Sequence, residues 1–309
     1  MTQKEKTYRY SEIFYSFQGE AELAGKPTVW IRFFGCNLEC NGFGQEHPTK
    51  PETHVLPYKD FDARSVQKLE DLPVWHHGCD SSYSWSTKYK HLVHNHTVSD
   101  ICDRLCELMK SPSNPTGLFL HPVTGQDTQL AFTGGEPMLN QEAMQAIVEE
   151  FKQRNNPVQT VTVETNATKP LKPHLKEFID QFNGRWHWAM SPKLHTVSGE
   201  IDAVKPEVIF EYLQVNSSAV LKFVVTGTEE CWSELGDHLD KIHNHIDSFD
   251  ENNYELVRWM PDVWVMPVGA TKDQQEAKSV ADISMEGMRR GYNIATRNHC
   301  YVFGNVIGK

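Results

Sequence analysis

The sequence has no unbroken apolar run long enough to span a bilayer, and no basic-then-apolar leader at its start. Both absences make it read as a cytoplasmic protein with no membrane partner. It also lacks a basic excess. Lys and Arg total 30 against 41 Asp and Glu, a formal net charge of −11 with His neutral. An acidic surface argues against direct nucleic-acid binding, but not against a local basic pocket for a small anion. Cysteine is sparse. The seven are Cys36, Cys40, Cys79, Cys102, Cys106, Cys231 and Cys300, an odd number in a chain with no leader. That is poor material for a disulfide framework, and metal ligation or buried thiols fit better. No internal repeat or low-complexity tract is evident.

What is present is a soluble, globular composition, 39% hydrophobic and 23% charged over 309 residues, enough for one large domain or two small ones. Strand-like and helix-like segments alternate. Strands are expected at 27–34, 128–133, 158–164, 186–190, 219–225, 262–267 and 292–296. A helix is expected over 138–154, with Leu139, Ala143, Ile147 and Phe151 recurring at a spacing of four and Pro137 in a first turn. Another spans 98–110, with Ser99 as cap and Ile101, Leu105 and Leu108 as the stripe. Further helices fall near 173–182, 230–246 and 272–290. Repeated strand–helix units predict an α/β fold, a full or partial barrel with a parallel sheet and chemistry at the C-terminal ends of its strands. Residues 41–78 break the rhythm. They are rich in Pro, His, Asp and Lys, and read as an inserted loop with a short helix around 62–69. The whole chain, 1–309, is then one domain carrying that insertion.

The stretch IRFFGCNLECNGFGQ (31–45) looks like a metal-cluster loop short of one ligand. Cys36 and Cys40 form C-x3-C after an apolar strand, but position 43, where a third thiolate is expected, is Phe. Cys79, in the polar turn HHGCDSSYSW (76–85), supplies a thiolate after the insertion. Loop-closure cost grows slowly with length, so C-x3-C-x38-C is tolerable. Three thiolates on irregular backbone suit a four-iron cubane with one iron open to a ligand. A zinc site completed by His76 or His77 is the alternative. Cys102 and Cys106 repeat C-x3-C inside an expected helix and read, like Cys231 and Cys300, as core or helix-face thiols.

This loop resembles that of the radical S-adenosylmethionine (SAM) superfamily, whose usual signature is C-x3-C-x2-C. TGGEP (133–137), ETN (164–166) and SPK (191–193) end expected strands in the same way. Within the superfamily the sequence is similar to the 7-carboxy-7-deazaguanine synthase family. EIFYSFQGE (12–20), GKPTVWIRFFGCNLEC, CDSSYSW (79–85), LKFVV (221–225), MPVG (266–269) and RNHCYVFG (297–304) follow in family order. The likeness runs from about residue 8 onward, excluding 41–78. It departs in that insertion, in Ser81 where the family has Thr, and in Ala21 where it has Gly.

The resemblance implies a partial barrel of the radical SAM type. It implies that a reduced [4Fe-4S] cluster cleaves SAM, and that the radical released takes hydrogen from 6-carboxy-5,6,7,8-tetrahydropterin. Ring contraction and loss of ammonia follow, with Mg²⁺ steering the rearrangement on the way to queuosine-type bases. It assigns Cys36, Cys40 and Cys79 to the cluster. Gly134, Gly135 and Glu136 go to SAM, with Thr165, Ser191 and Lys193, and Ser81 goes to Mg²⁺ beside Asp80. Gln18, Gly19, Glu20, Arg32 and His299 go to the substrate. A reducing donor such as a flavodoxin and a homodimer are further implications. Plainer readings stand beside these. Arg32 suits a salt bridge, Glu136 a first-turn carboxylate, Ser81 a turn, His299 a structural role, and Gly134 and Gly135 an ordinary glycine turn. A SAM-dependent activase acting on a glycyl radical enzyme is the second function, and a zinc-binding scaffold the third.

Overall fold

A computed structural model describes residues 5–250, 260–304 and 306–308, with side chains at 249 and 250 left aside. Among the described residues nine strands form one open sheet: β1 (Thr7–Phe17), β2 (Pro27–Phe33), β3 (His94–Thr97), β4 (Gln129–Gly134), β5 (Thr160–Thr165), β6 (Arg185–Met190), β7 (Ser218–Val225), β8 (Asp262–Pro267) and β9 (Asn293–Ile294). Their order is β3-β1-β2-β4-β5-β6-β7-β8-β9. From β2 to β9 every pairing is parallel. β1 runs antiparallel to both β2 and β3. Among the described residues no pairing joins β9 back to β3, so the barrel is partial.

The helices are α1 (Pro57–Asp60), α2 (Val98–Met109), α3 (Gln141–Gln153), α4 (Pro173–Asp180), α5 (His195–Ser198), α6 (Pro206–Leu213), α7 (Glu229–Asp250), α8 (Lys272–Gln275), α9 (Lys278–Arg289) and α10 (Asn298–Phe303). None of the described ones is long and apolar enough to cross a membrane. The cap of α2 is Thr97, not Ser99. Its hydroxyl accepts from the Asp100 amide (3.1 Å), while the Asp100 carboxylate accepts from the Thr97 amide. The buried face of α2 is Ile101, Cys102, Leu105 and Met109, while Leu108 is exposed. Leu139 is also exposed, because Pro137–Asn140 is a 3₁₀ turn and α3 begins only at Gln141. The expected helix over 272–290 is broken into α8 and α9.

Strand alternation positions the site. Ile31 and Phe33, Phe132, Val161 and Val163, Trp186 and Trp188, and Leu221 and Phe223 point to the helices and form the main core. Their neighbours face the barrel interior. Deep inside, Gln129 donates to Thr28 (2.7 Å) and accepts from Thr162 (2.8 Å), so polar groups of three strands satisfy one another. Nearer the C-terminal ends the same face carries Arg32, Thr133, Glu164 and Lys222, and these line a cavity.

Residues 41–78 hold no helix over 62–69. They hold α1 and 3₁₀ turns, including Ala63–Ser65 and Leu69–Asp71. The segment is nonetheless packed. Tyr58, Ala63, Val66, Leu69, Leu72 and Trp75 join Tyr83, Tyr89 and Leu92 in a second buried cluster. Each such apolar side chain contributes roughly 1.5–3 kcal/mol when fully buried.

Candidate active site

The loop after β2 is pinned from three directions. The Gly35 amide donates to the Ser84 carbonyl (2.8 Å), the Glu136 amide to the Gly35 carbonyl (2.8 Å), and the Cys40 amide to Glu200 Oε1 (2.5 Å). Gly35 has φ 117° and Cys40 φ 52°, both in the left-handed region. Cys79 enters from the far end of the insertion, where the Gly78 amide donates to the Phe43 carbonyl (2.7 Å). Phe43, in the place where a thiolate is expected, lies under the Lys193 ammonium (5.9 Å). Cys36, Cys40 and Cys79 all line the cavity. Burial is the main force raising the Cys36 thiol to about 12, and the nearby Cys79 adds to it. Burial likewise raises Cys40 and Cys79.

Among the described residues no three His, Cys, Asp or Glu side chains gather as around a single ion. In a four-iron cube each thiolate binds a different iron, so its ligands stand wider apart than those of one zinc. The Leu38 amide points at Cys36 Sγ (3.4 Å), and the Ser81 hydroxyl lies 3.5 Å from Cys79 Sγ. The donor set, three thiols on irregular backbone with an N–H and a hydroxyl beside the sulfurs, fits such a cluster.

Gly134 and Gly135 bring β4 against this loop. A Cβ at Gly134 would lie 2.4 Å from the Phe33 carbonyl, and one at Gly135 2.8 Å from the Cβ of Cys36. Both glycines line the cavity, as do Thr165, Ser191 and Lys193. Lys193 donates to the Ser191 hydroxyl (2.9 Å). Glu136 does not line it. Its fully buried carboxylate accepts from Thr165 Oγ1 (2.7 Å), the Asn166 amide (2.8 Å) and the Met138 amide (2.9 Å), tying β5 to the turn after β4.

The opposite wall is charged. Glu20 is buried between Lys222 and Arg297, its Oε1 3.1 Å from Arg297 Nε. Burial works to raise its pKa, but Lys222, Arg297 and His299 together hold it well below the carboxylate range. Lys222 also approaches Glu164 (3.8 Å), which accepts from Gln18 Nε2 (3.0 Å). Arg297 continues to the Gly269 carbonyl (2.7 Å) and to Asp80 Oδ2 (2.9 Å). Arg32 pairs with Glu12 (2.7 Å), whose same oxygen accepts from the Tyr83 hydroxyl (2.8 Å). Gly19 leaves space for His299, since a Cβ there would stand 2.1 Å from its Nδ1. Gln18, Gly19, Glu20, Arg32, His299 and Ser81 all border the same cavity.

Ala21 has φ 55°, the region glycine occupies without penalty. This gives the departure at that position a physical meaning. Lys222, Arg297, Glu12 and Glu164 were not singled out by sequence reasoning. Lys222 carried a usable signal, a lone ammonium inside the apolar run AVLKFVV, which is costly to bury without a partner. Apolar walls come from Phe14 stacked on Trp30 (5.6 Å), from Trp75 of the insertion, and from Val306 and Ile307.

No family model matches the chain. Individual proteins do. A 7-carboxy-7-deazaguanine synthase of Halobacterium salinarum is 42% identical over 60 residues, 19% of this chain and 23% of that protein. The match therefore spans less than a quarter of that relative's length. Synthases of the same name are similar over more of their length. The one from Methanopyrus kandleri is 24% identical over 236 residues (75% of each chain). The one from Pyrobaculum aerophilum is 22% identical over 301 residues (97% of each). The crystal structure of QueE from Escherichia coli shares the fold, with a TM-score of 0.50, 14% identity and 95% of both chains covered.

Proposed function

We propose that the chain is a radical SAM enzyme, a 7-carboxy-7-deazaguanine synthase that converts 6-carboxy-5,6,7,8-tetrahydropterin to 7-carboxy-7-deazaguanine with loss of ammonia. The observation that carries this reading is the convergence on one cavity of the Cys36–Cys40 pair, the sequence-distant Cys79 and the wall formed by Gln18, Glu20, Arg32 and His299. The relatives' shared name supports it.

Cys36, Cys40 and Cys79 would hold the [4Fe-4S] cluster, and the backbone at Gly134 and Gly135, with Thr165, Ser191 and Lys193, would cradle SAM. When bound, these groups supply a radical able to take hydrogen from carbon. The chain's own work is positioning and shielding. Glu12 holds Arg32 by its Nε, which leaves the rest of the guanidinium to meet the substrate carboxylate. Glu20 is kept ionised by two buried cations, so it is ready to accept from the N–H donors of a pterin edge. Glu136 acts one step back, bracing Thr165 and Asn166. The Ser81 hydroxyl is an oxygen donor suited to Mg²⁺. Trp75, Val306 and Ile307 give the cavity an apolar border.

A reducing protein such as a flavodoxin as electron source, a homodimer and a cytoplasmic setting follow from the likeness alone. The charged cavity wall of Glu20, Arg32, Lys222 and Arg297 suits a small polar substrate better than the protein partner of an activase, and the C-x3-C sequence spacing suits a cluster better than zinc.

The test is anaerobic incubation with SAM, a reductant, Mg²⁺ and the carboxytetrahydropterin, read by mass spectrometry. Deoxyadenosine together with the ring-contracted product is expected. Deoxyadenosine without that product would leave the radical chemistry and remove the substrate.

A further inference from the structure

The cluster ligands are not held alike. Cys36 and Cys40 share one loop fixed by backbone hydrogen bonds at both ends. Cys79 is reached only after the insertion. Beside it the Gly78 amide holds Phe43, and the Cys79 carbonyl accepts from the Ser82 amide (3.2 Å). The ion pair on this turn is carried by the next side chain, Asp80, which meets Arg297 at 2.9 Å.

We propose that Arg297, acting through Asp80, is the positioning residue that fixes the third thiolate of the cluster site. This rests on the reading of Cys36, Cys40 and Cys79 as the ligands. The geometry is that of a three-way clamp. Nη2 meets Asp80, Nε meets Glu20 in the turn that follows β1 (3.1 Å), and Nη1 meets the Gly269 carbonyl after β8 (2.7 Å). Two of the three holds are on parts of the barrel frame, so the guanidinium transmits the frame's position to the turn. Only 13% of the Arg297 side chain is exposed, which leaves little room for another partner. A planar fork makes three bonds in fixed directions, and a lysine ammonium cannot reproduce them. The same terminal segment holds the turn's surroundings. The Asn298 amide donates to the Gly19 carbonyl (2.9 Å), and Ile307 packs on the insertion's own buried cluster.

The competing role for Arg297 is charge balance for Glu20 alone, and the test separates the two. Wild type, Cys79→Ala, Arg297→Gln, Arg297→Lys, Asp80→Asn and Glu20→Gln are reconstituted anaerobically with iron and sulfide. Each is read by iron per chain, by electron paramagnetic resonance of the reduced cluster, and by titration with an iron chelator. Arg297→Gln should lower the chelator concentration that strips half the iron by about tenfold, as loss of an outer-shell partner does. Asp80→Asn should weaken retention in the same direction, Arg297→Lys should not restore it, and Glu20→Gln, whose amide oxygen can still accept from Arg297 Nε, should weaken it less than Arg297→Gln does. Arg297→Gln or Asp80→Asn with wild-type retention and spectrum would overturn the proposal. So would loss on Glu20→Gln equal to that on Arg297→Gln. Asp80→Asn keeps the clamp's other arms, so it decides the matter even if Arg297→Gln folds poorly. A wild type that takes up no cluster, or a Cys79→Ala that keeps it, would instead defeat the ligand assignment.

Discussion

Gly135 lies so close to Cys36 that a single added carbon would stand 2.8 Å from the cysteine's own Cβ. The glycine turn after β4 and the loop after β2 are therefore one packed unit, whatever else the turn binds. Gly135→Ala should displace the loop, because the other close atoms are the Gly35 carbonyl, which is backbone. Iron per chain after reconstitution should fall below that of wild type, while the far-ultraviolet circular dichroism of the metal-free protein stays the same.

Cys79 and Cys102 make a second comparison. Cys79 borders the cavity, whereas Cys102 is fully buried under α3 with its thiol directed at the Ile147 carbonyl. Cys79→Ala should abolish the cluster's absorbance. Cys102→Ala should retain it and lose about 1 kcal/mol of stability, the scale of a small packing defect. The reverse pattern would overturn the choice of ligand.

Gly19→Ala tests the substrate wall separately from the cluster. The new methyl would collide with His299 and push it from its place. The Michaelis constant for the pterin should rise by about tenfold, equivalent to one lost hydrogen bond. Cluster content should not change.

Ala21 should accept improvement. An L-residue in the left-handed region costs roughly 1–2 kcal/mol, and glycine does not incur that cost. Ala21→Gly is expected to raise the urea midpoint of the protein, equivalent to about 1 kcal/mol after glycine's own entropy loss is counted. A lowered midpoint would show that the turn at this position is not strained.

Glu234 gives a pH signature. Burial opposes its ionisation, yet hydrogen bonds from His238, Thr196 and His195 hold its carboxyl at about 2. Its folded value is thus depressed below the unfolded one near 4.5. The stabilisation is present in full above the unfolded value and is lost as pH falls toward 2. Glu234→Gln should destabilise the protein by about 2 kcal/mol at pH 7 in urea unfolding. The gap should narrow steadily below pH 4.5.

How much of this was legible beforehand differs by element. Strands β2 and β4 to β8 are readable because apolar side chains alternate or run together over several residues, and the strand expected at 292–296 is present as the two-residue β9. β1 and the short, polar β3 carry no strand expectation, and in β3 the residues HNHT lack the apolar alternation that marks a strand. The face of α3 was placed well except at Leu139, where a 3₁₀ turn breaks the 100° rotation that the spacing rule assumes. In the insertion, Ala63, Val66, Leu69, Leu72 and Trp75 recur at every third position. That period is the one of 3₁₀ turns, not of the short helix expected around 62–69, and it gives no sign that the segment builds a core of its own. The cavity's cysteines, glycines and His299 were visible as short motifs. The pairing of Asp80 with Arg297 was not, because two charges 217 positions apart leave no periodic trace.

The salt bridge between Glu20 and Arg297 joins residues 277 positions apart. A polypeptide still emerging from the ribosome has its first two cysteines early but lacks this wall until residue 297 has cleared the exit tunnel. The wall therefore depends on a contact of very high sequence separation, and closing so long a loop has to precede any reward from the pair itself.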